Sequence, residues 1–226
     1  MGHGTNIEEI TKSVGLGFFS VEHEIEEDRV YDDVLQILAA SGTRWDPTLA
    51  VMGPDSLLLR DDLEELTNLK FKAFTPEASI AFAKSGGYYM ATATDTLRGN
   101  VTRQLAALER AKHLGVKLLA GTDAPNPECF FGSSLHWELA RFVEPGFSPA
   151  DVLRLATADA AAAVGAEDLG TIAPGKLADL VLLGANPLDD IHNTETIWRV
   201  IKGGWLFDPD KLTTIPSEAS QVSEKP

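Results

Sequence analysis

One cysteine, Cys129, stands among the 226 residues. A lone thiol excludes an internal disulfide and fits a reducing compartment. It lies in no nucleophile motif with a histidine, so thiol catalysis is not expected. Basic residues are also scarce: 19 Lys and Arg against 34 Asp and Glu leave a formal charge of −15. Nucleic acids and anionic membranes demand a basic face, which excludes both as expected partners. No run approaches the roughly 18 apolar residues of a membrane span. Met1 to Asn6 has no signal-peptide character and lacks the Ser or Thr of a myristoylation site. Phosphate-cradling glycine motifs, dinucleotide fingerprints and internal repeats are absent too. The expectation is a soluble, cytoplasmic protein.

The residues that are present describe an ordinary globular domain, 44% hydrophobic and 23% charged. Much of the acid falls in Glu22 to Asp33 and Asp61 to Glu65, which read as solvated loops or helix starts. The central stretch is Lys117-Leu-Leu-Ala-Gly-Thr-Asp-Ala-Pro125. Val116 to Ala120 is the short apolar run of a strand buried on both faces. A helix precedes it, with Val101, Leu105, Leu108 and Ala111 at three- and four-residue steps and a stop at Leu114-Gly115. Helix, turn, buried strand, then Gly-Thr-Asp is how a parallel α/β protein presents a polar side chain to a ligand. On this stretch alone, Asp123 serves equally well as a residue that turns the chain.

Elsewhere the pattern predicts a helix over 6–14, a strand over 18–23, a helix over 29–40 and a strand-like segment over 43–51. Asp46-Pro47 confines that last segment to a strand end or bulge. Helical pieces over 55–69 and 76–84 follow, then a Gly86-Gly87 loop and the long helix to Leu114. Beyond Asp123 a helix over 133–143 is expected, and another starts at Ser148-Pro149, where Ser caps and Pro suits the first helical position. Near Gly165 the character changes. Strands over 169–172 and 177–183 flank the Ala173-Pro-Gly-Lys176 turn, and a third covers 197–202. Residues 209–226 lose apolar periodicity and read as a disordered tail.

His3 and His23 each fall at or just after a strand end, as Asp123 does, and in a parallel barrel such residues converge at one rim. Two imidazoles and a carboxylate form a common ligand set for zinc and similar ions. The other histidines read as surface positions: His113, His192, and His136 on the helix after the central loop.

In order along the chain come His3, Ser20-Val-Glu-His23, Pro47-Thr-Leu49 and Gly121-Thr-Asp-Ala-Pro125. They are followed by Ala156-Thr157, Leu169-Gly-Thr-Ile-Ala-Pro-Gly-Lys-Leu-Ala-Asp-Leu-Val181, Asn186-Pro187 and Val200-Ile-Lys-Gly-Gly204. This series resembles the metal-dependent amidohydrolase superfamily, in its imidazolonepropionase-like and prolidase-like branches. The resemblance implies an α/β fold, a (β/α)8 barrel with a small β-sandwich. It also implies hydrolysis of carbon–nitrogen bonds in a small-molecule substrate, with one or two divalent ions, zinc in the first place. Residue by residue, His3 resembles the metal histidine ending barrel strand five, His23 that ending strand six, and Asp123 the strand-eight aspartate that binds metal and handles the proton of water.

Two of the family's features have no counterpart. No two of the five histidines are two residues apart, so the first-strand His-x-His pair is missing. The strand-four residue would precede His3. The expected architecture is therefore a partial (β/α)8 barrel, about strands five to eight, over 1–165, and part of the sandwich over 166–208. Exposed barrel edges then predict self-association. Two functions follow as expectations: a truncated hydrolase without turnover on its own, or an inactive remnant serving as an interaction module.

Overall fold

The computed structural model describes residues 1–25, 29–52, 69–84, 94–126 and 129–212. Residues 55–68 of the helix expected over 55–69, the Gly86-Gly87 loop and residues 213–226 of the expected tail lie outside them.

Three short strands open the fold: β1 (Gly2–His3), β2 (Ser20–Glu22) and β3 (Arg44–Asp46). They run parallel in sequence order, with Gly2 beside Val21, Val21 beside Trp45 and Glu22 beside Asp46. The strand predicted over 116–120 joins them through a single parallel bridge, Trp45 to Leu118. Trp45 N donates to Lys117 O at 2.8 Å and Leu119 N donates to Trp45 O at 2.9 Å. Two bonds suffice because this segment is held mainly by its buried apolar residues, Val116, Leu118, Leu119 and Ala120. Four segments thus advance in one direction, and their C-terminal ends share one edge.

Helices return the chain between them. α1 (Ile7–Gly15) starts at Asn6, whose side chain accepts from Glu9 N at 2.9 Å, while Glu9 reaches back to Thr5 N at 3.2 Å. Reciprocal bonds of this kind satisfy the orphan donors of a helix start. α2 (Asp32–Ser41) stops at Gly42, whose φ of 72° is the left-handed conformation that glycine adopts without steric cost. The predicted strand-like 43–51 divides into β3 and a helical turn, α3 (Leu49–Met52), because Pro47 cannot donate to a ladder. α4 (Leu69–Phe74), α5 (Glu77–Lys84), α6 (Thr94–Leu114) and α7 (Ser133–Val143) follow. α8 (Pro149–Arg154) is capped by Ser148 as expected, Oγ accepting from Asp151 N at 3.1 Å. It does not continue as a regular helix: Leu155–Asp159 forms a π turn before α9 (Ala160–Ala163). The core lies between sheet and helices, where Ile10, Val21, Leu35, Leu38, Trp45, Leu108, Phe142 and Val152 are at most 1% exposed.

The C-terminal part is one antiparallel sheet among the described residues: β4 (Leu180–Leu183), β5 (Ile197–Lys202) and β6 (Trp205–Phe207). The strand expected over 169–172 does not form. The turn after it does, with Lys176 N donating to Ala173 O at 3.2 Å and Leu177 N to Asp168 O at 3.0 Å. β6 pairs with β5 across Gly203-Gly204, a hairpin the sequence reading stopped short of. Pro209–Leu212 is a helical turn, α10, where a disordered tail was expected to begin. A 3-10 turn, Ile191–Glu195, ties this sheet to α7, with His136 Nδ1 2.9 Å from Thr194 Oγ1. His136 is therefore an interlock between the two parts and not a free surface histidine.

Candidate functional site

Each predicted site residue leaves the C-terminal end of its parallel segment. His3 closes β1, His23 follows β2 and Asp123 follows the 116–120 segment. The His3 and His23 rings meet edge to face with centroids 4.4 Å apart. His23 Nδ1 lies 3.8 Å from Asp123 Oδ2. Residues 120 positions apart in sequence therefore share one small region of surface.

The backbone is bent to place them. Among the described residues only three other than glycine have positive φ: His23 at 76°, Thr48 at 47° and Asp123 at 54°. All three are at this site. For a β-branched residue such as Thr48 this region is sterically unfavourable, and residues held so cluster at functional sites. Contacts around them hold the geometry. Trp45 Nε1 donates to His23 O at 2.8 Å, and His23 N donates to Asp46 O at 2.8 Å. His23 Nδ1 is 3.0 Å from the hydroxyl of buried Thr48, which fixes the ring and leaves Nε2 for a ligand.

Asp46 lies beneath this layer. Its Oδ1 accepts from Gly121 N at 2.9 Å, joining β3 to the Gly-Thr-Asp turn. The approach is so close that a Cβ on residue 121 would stand 2.1 Å from Asp46 Oδ2. Burial, and then the neighbouring Glu22 carboxylate, push the Asp46 carboxyl up to about 6, against the pull of the Gly121 and Thr48 backbone N–H groups. Asp123 itself is exposed, and Asn126 Nδ2 donates to its Oδ2. Cys129 is buried, its thiol donating to Thr122 O at 2.7 Å and pushed up by burial. A thiol so placed is not a nucleophile. Beside Asp123, Pro125 and Asn126 line a cavity of about 500 Å³ walled by Phe74, Phe82, Cys129 and Phe130.

Sequence reading missed Asp46 and the role of Thr48. Pro47-Thr48 was visible as a motif, but nothing in it shows that the hydroxyl meets a histidine 25 residues away. Among the described residues no group of three His, Cys, Asp or Glu side chains has an arrangement ready to hold a metal ion. In donor chemistry the residues do fit one: two imidazoles in contact and a carboxylate beside one of them are what zinc takes.

Parallel strands with imidazole and carboxylate groups at their C-terminal ends define an α/β protein of the barrel-site type. The model of the amidohydrolase family matches residues 1–206, and the chain belongs to that family. Among solved structures, a Xaa-Pro dipeptidase with methionine bound in its active site is 27% identical, with a TM-score of 0.64 over 91% of this chain and 44% of that one. The ochratoxinase of A. niger is 25% identical, with a TM-score of 0.61 over 91% and 41%. Phenylurea hydrolase B, at 21% identity and a TM-score of 0.64 over 97% and 45%, shows likeness of fold alone. The chain thus spans less than half the length of these structures. No functionally curated protein matches it in sequence. No helix among the described residues is long and apolar enough to cross a membrane.

Proposed function

We propose that this chain carries the His3, His23 and Asp123 portion of a metal-dependent site that hydrolyses carbon–nitrogen bonds, amide or cyclic amide, in small molecules. The observation that carries this reading is the convergence of the three side chains, with left-handed backbone at two of them. His3 and His23, with Asp123, would hold the divalent ion, zinc in the first place. Such an ion supplies Lewis acidity toward the scissile carbonyl and makes water acidic near neutral pH. The chain's own residues do the rest. Asp123 Oδ2 accepts the proton of the attacking water and returns it to the leaving nitrogen. Asn126 orients that carboxylate, and Thr48 sets which His23 nitrogen faces the site. The apolar cavity beside Asp123 supports a substrate with an aliphatic or aromatic group next to the scissile bond.

The architecture we propose is the strand-five to strand-eight part of a (β/α)8 barrel with a portion of the β-sandwich. Two histidines and one aspartate, spread by the family over two metal positions, leave each position incompletely coordinated. The complete catalytic unit then needs ligands from a complementary barrel half. Apolar side chains on the second sheet, Trp198, Trp205 and Leu206, are more than half exposed and favour association. The test is a panel of dipeptides and cyclic amides with added zinc or manganese. The chain is assayed alone and together with the N-terminal barrel half of a prolidase-like amidohydrolase. Turnover is expected only in the mixture and is lost in Asp123→Asn. Equal turnover by the chain alone sinks the shared-site reading, and turnover unaffected by Asp123→Asn sinks the role of the aspartate.

A further inference from the structure

The opposite end of the sheet carries a second feature that the hydrolytic site does not use. A cavity of about 490 Å³ lies where β3 and the 116–120 segment begin. Four cations line it, Arg44, Lys112, Lys117 and Arg154, against two carboxylates, Asp151 and Asp159. In a chain of formal charge −15, a cavity lined by a net two positive charges runs against the composition.

Some of these charges are already engaged. Arg154 Nε pairs with Asp159 Oδ2 at 3.1 Å, and Asp151 accepts from Ser148 Oγ at 2.7 Å. Lys112 Nζ donates to Gly146 O at 2.7 Å and lies 4.5 Å from the centre of the Phe147 ring. Among the described residues, Arg44 and Lys117 have no acidic partner. They are also neighbours. Trp45 pairs with Leu118 in a parallel bridge, and one residue back the same register sets Arg44 beside Lys117. Like charges side by side on adjacent strands destabilise a sheet unless something of opposite sign lies between them.

The wall opposite is not a regular helix. Leu155–Asp159 is the π turn, and Leu155 and Asp159 both face the cavity. A π turn interrupts the helical ladder at a cost and occurs frequently at functional sites. Val116, Leu118 and Phe147, all buried, complete an apolar floor. Cations at the mouth, an apolar floor and a volume within the range of small-molecule sites describe a receptor for an amphipathic anion. The Arg44 guanidinium suits a planar or tetrahedral oxyanion, which it grips with two parallel N–H bonds.

We infer that this cavity binds a small organic anion, a phosphate or carboxylate head on an apolar body, between Arg44 and Lys117. The site is separate from His3, His23 and Asp123, which occupy the other ends of the same parallel segments. It rests on none of the hydrolytic assignments.

The experiment titrates the full chain with phenyl phosphate, benzoate and inorganic phosphate by calorimetry, at fixed ionic strength and about pH 8, where the phosphate and carboxylate probes are ionised. Saturable binding of phenyl phosphate or benzoate is expected, tighter than that of inorganic phosphate because the floor is apolar. Lys117→Gln weakens it about tenfold, since an ionised donor to an oxyanion is lost. Lys117 is exposed, so this variant keeps its fold, and Arg44→Gln adds a second arm if it folds. Phenyl phosphate also raises the melting temperature of the native chain more than that of Lys117→Gln. No saturable binding overturns the proposal. So does binding unchanged in Lys117→Gln, or binding lost in His3→Ala, which would place the anion at the other end of the sheet.

Discussion

Asparagine in place of Asp46 separates the charge of this residue from its shape. The carboxyl is pushed up to about 6 from an ordinary 3.8, chiefly by burial. A raised carboxyl means that the folded chain holds a proton which the unfolded chain has released between those two values. The stabilisation is fully present below about pH 4 and is lost as pH rises through about 6. At roughly 1.4 kcal/mol for each pH unit, the loss amounts to about 2 to 3 kcal/mol, the lower figure allowing for the partial exposure of the side chain. Asparagine keeps an oxygen for Gly121 N and cannot ionise. Unfolding in urea across about pH 4 to 8, with a chelator present, gives the stability of native chain and variant. Groups common to both cancel to first order, so the difference isolates Asp46. The native chain should lose about 2 to 3 kcal/mol relative to Asp46→Asn as pH rises from about 4 to 7. A difference that is flat, or that rises with pH, would refute the assignment of a charged, desolvated carboxylate at this position.

Three further perturbations follow from the same geometry. Thr48→Val removes the hydroxyl from His23 Nδ1 and should weaken zinc binding about 10- to 100-fold, as loss of a group orienting a metal histidine does; unchanged affinity by competition with a chromogenic chelator would show that the ring is held otherwise. Gly121→Ala forces a Cβ against Asp46 and should cost about 1 to 3 kcal/mol, most of it relieved in an Asp46→Ala background; a cost that does not change there would place the strain elsewhere. Ser148→Ala deletes the cap of α8 and should lower stability by about 1 kcal/mol in urea unfolding, with no change in zinc binding.

Helix ends were legible in the chain because they depend on neighbours a few residues away. Ser148-Pro149 announces α8, the pair Thr5-Asn6 announces α1, with the structure choosing Asn6 as the cap, and Gly42 stops α2 through a conformation that few other residues accept. The apolar run at 116–120 read as a buried segment, and Val116, Leu118, Leu119 and Ala120 are buried. The motif order carried the family. His23 and Asp123 could be nominated because each follows a strand signal, and strand ends in parallel sheets are where polar side chains emerge; His3 was nominated by its place in the motif order.

Only the tertiary structure decided what those side chains meet. Thr48 touching His23, Asp46 bracing Gly121, His136 tying α7 to the second sheet, and Arg44 beside Lys117 all depend on register between segments far apart in sequence. The positive φ angles at His23, Thr48 and Asp123 are of the same kind. None of these residue types favours that region strongly enough to signal it, and packing around Trp45 and Asp46 imposes it. The π turn at Leu155–Asp159 interrupts an alanine-rich stretch that local propensity would keep helical. Sequence patterns report free energies summed over a few neighbouring residues, whereas a site is fixed by contacts between distant ones, Trp45 with His23, Thr48 with His23 and Asp46 with Gly121.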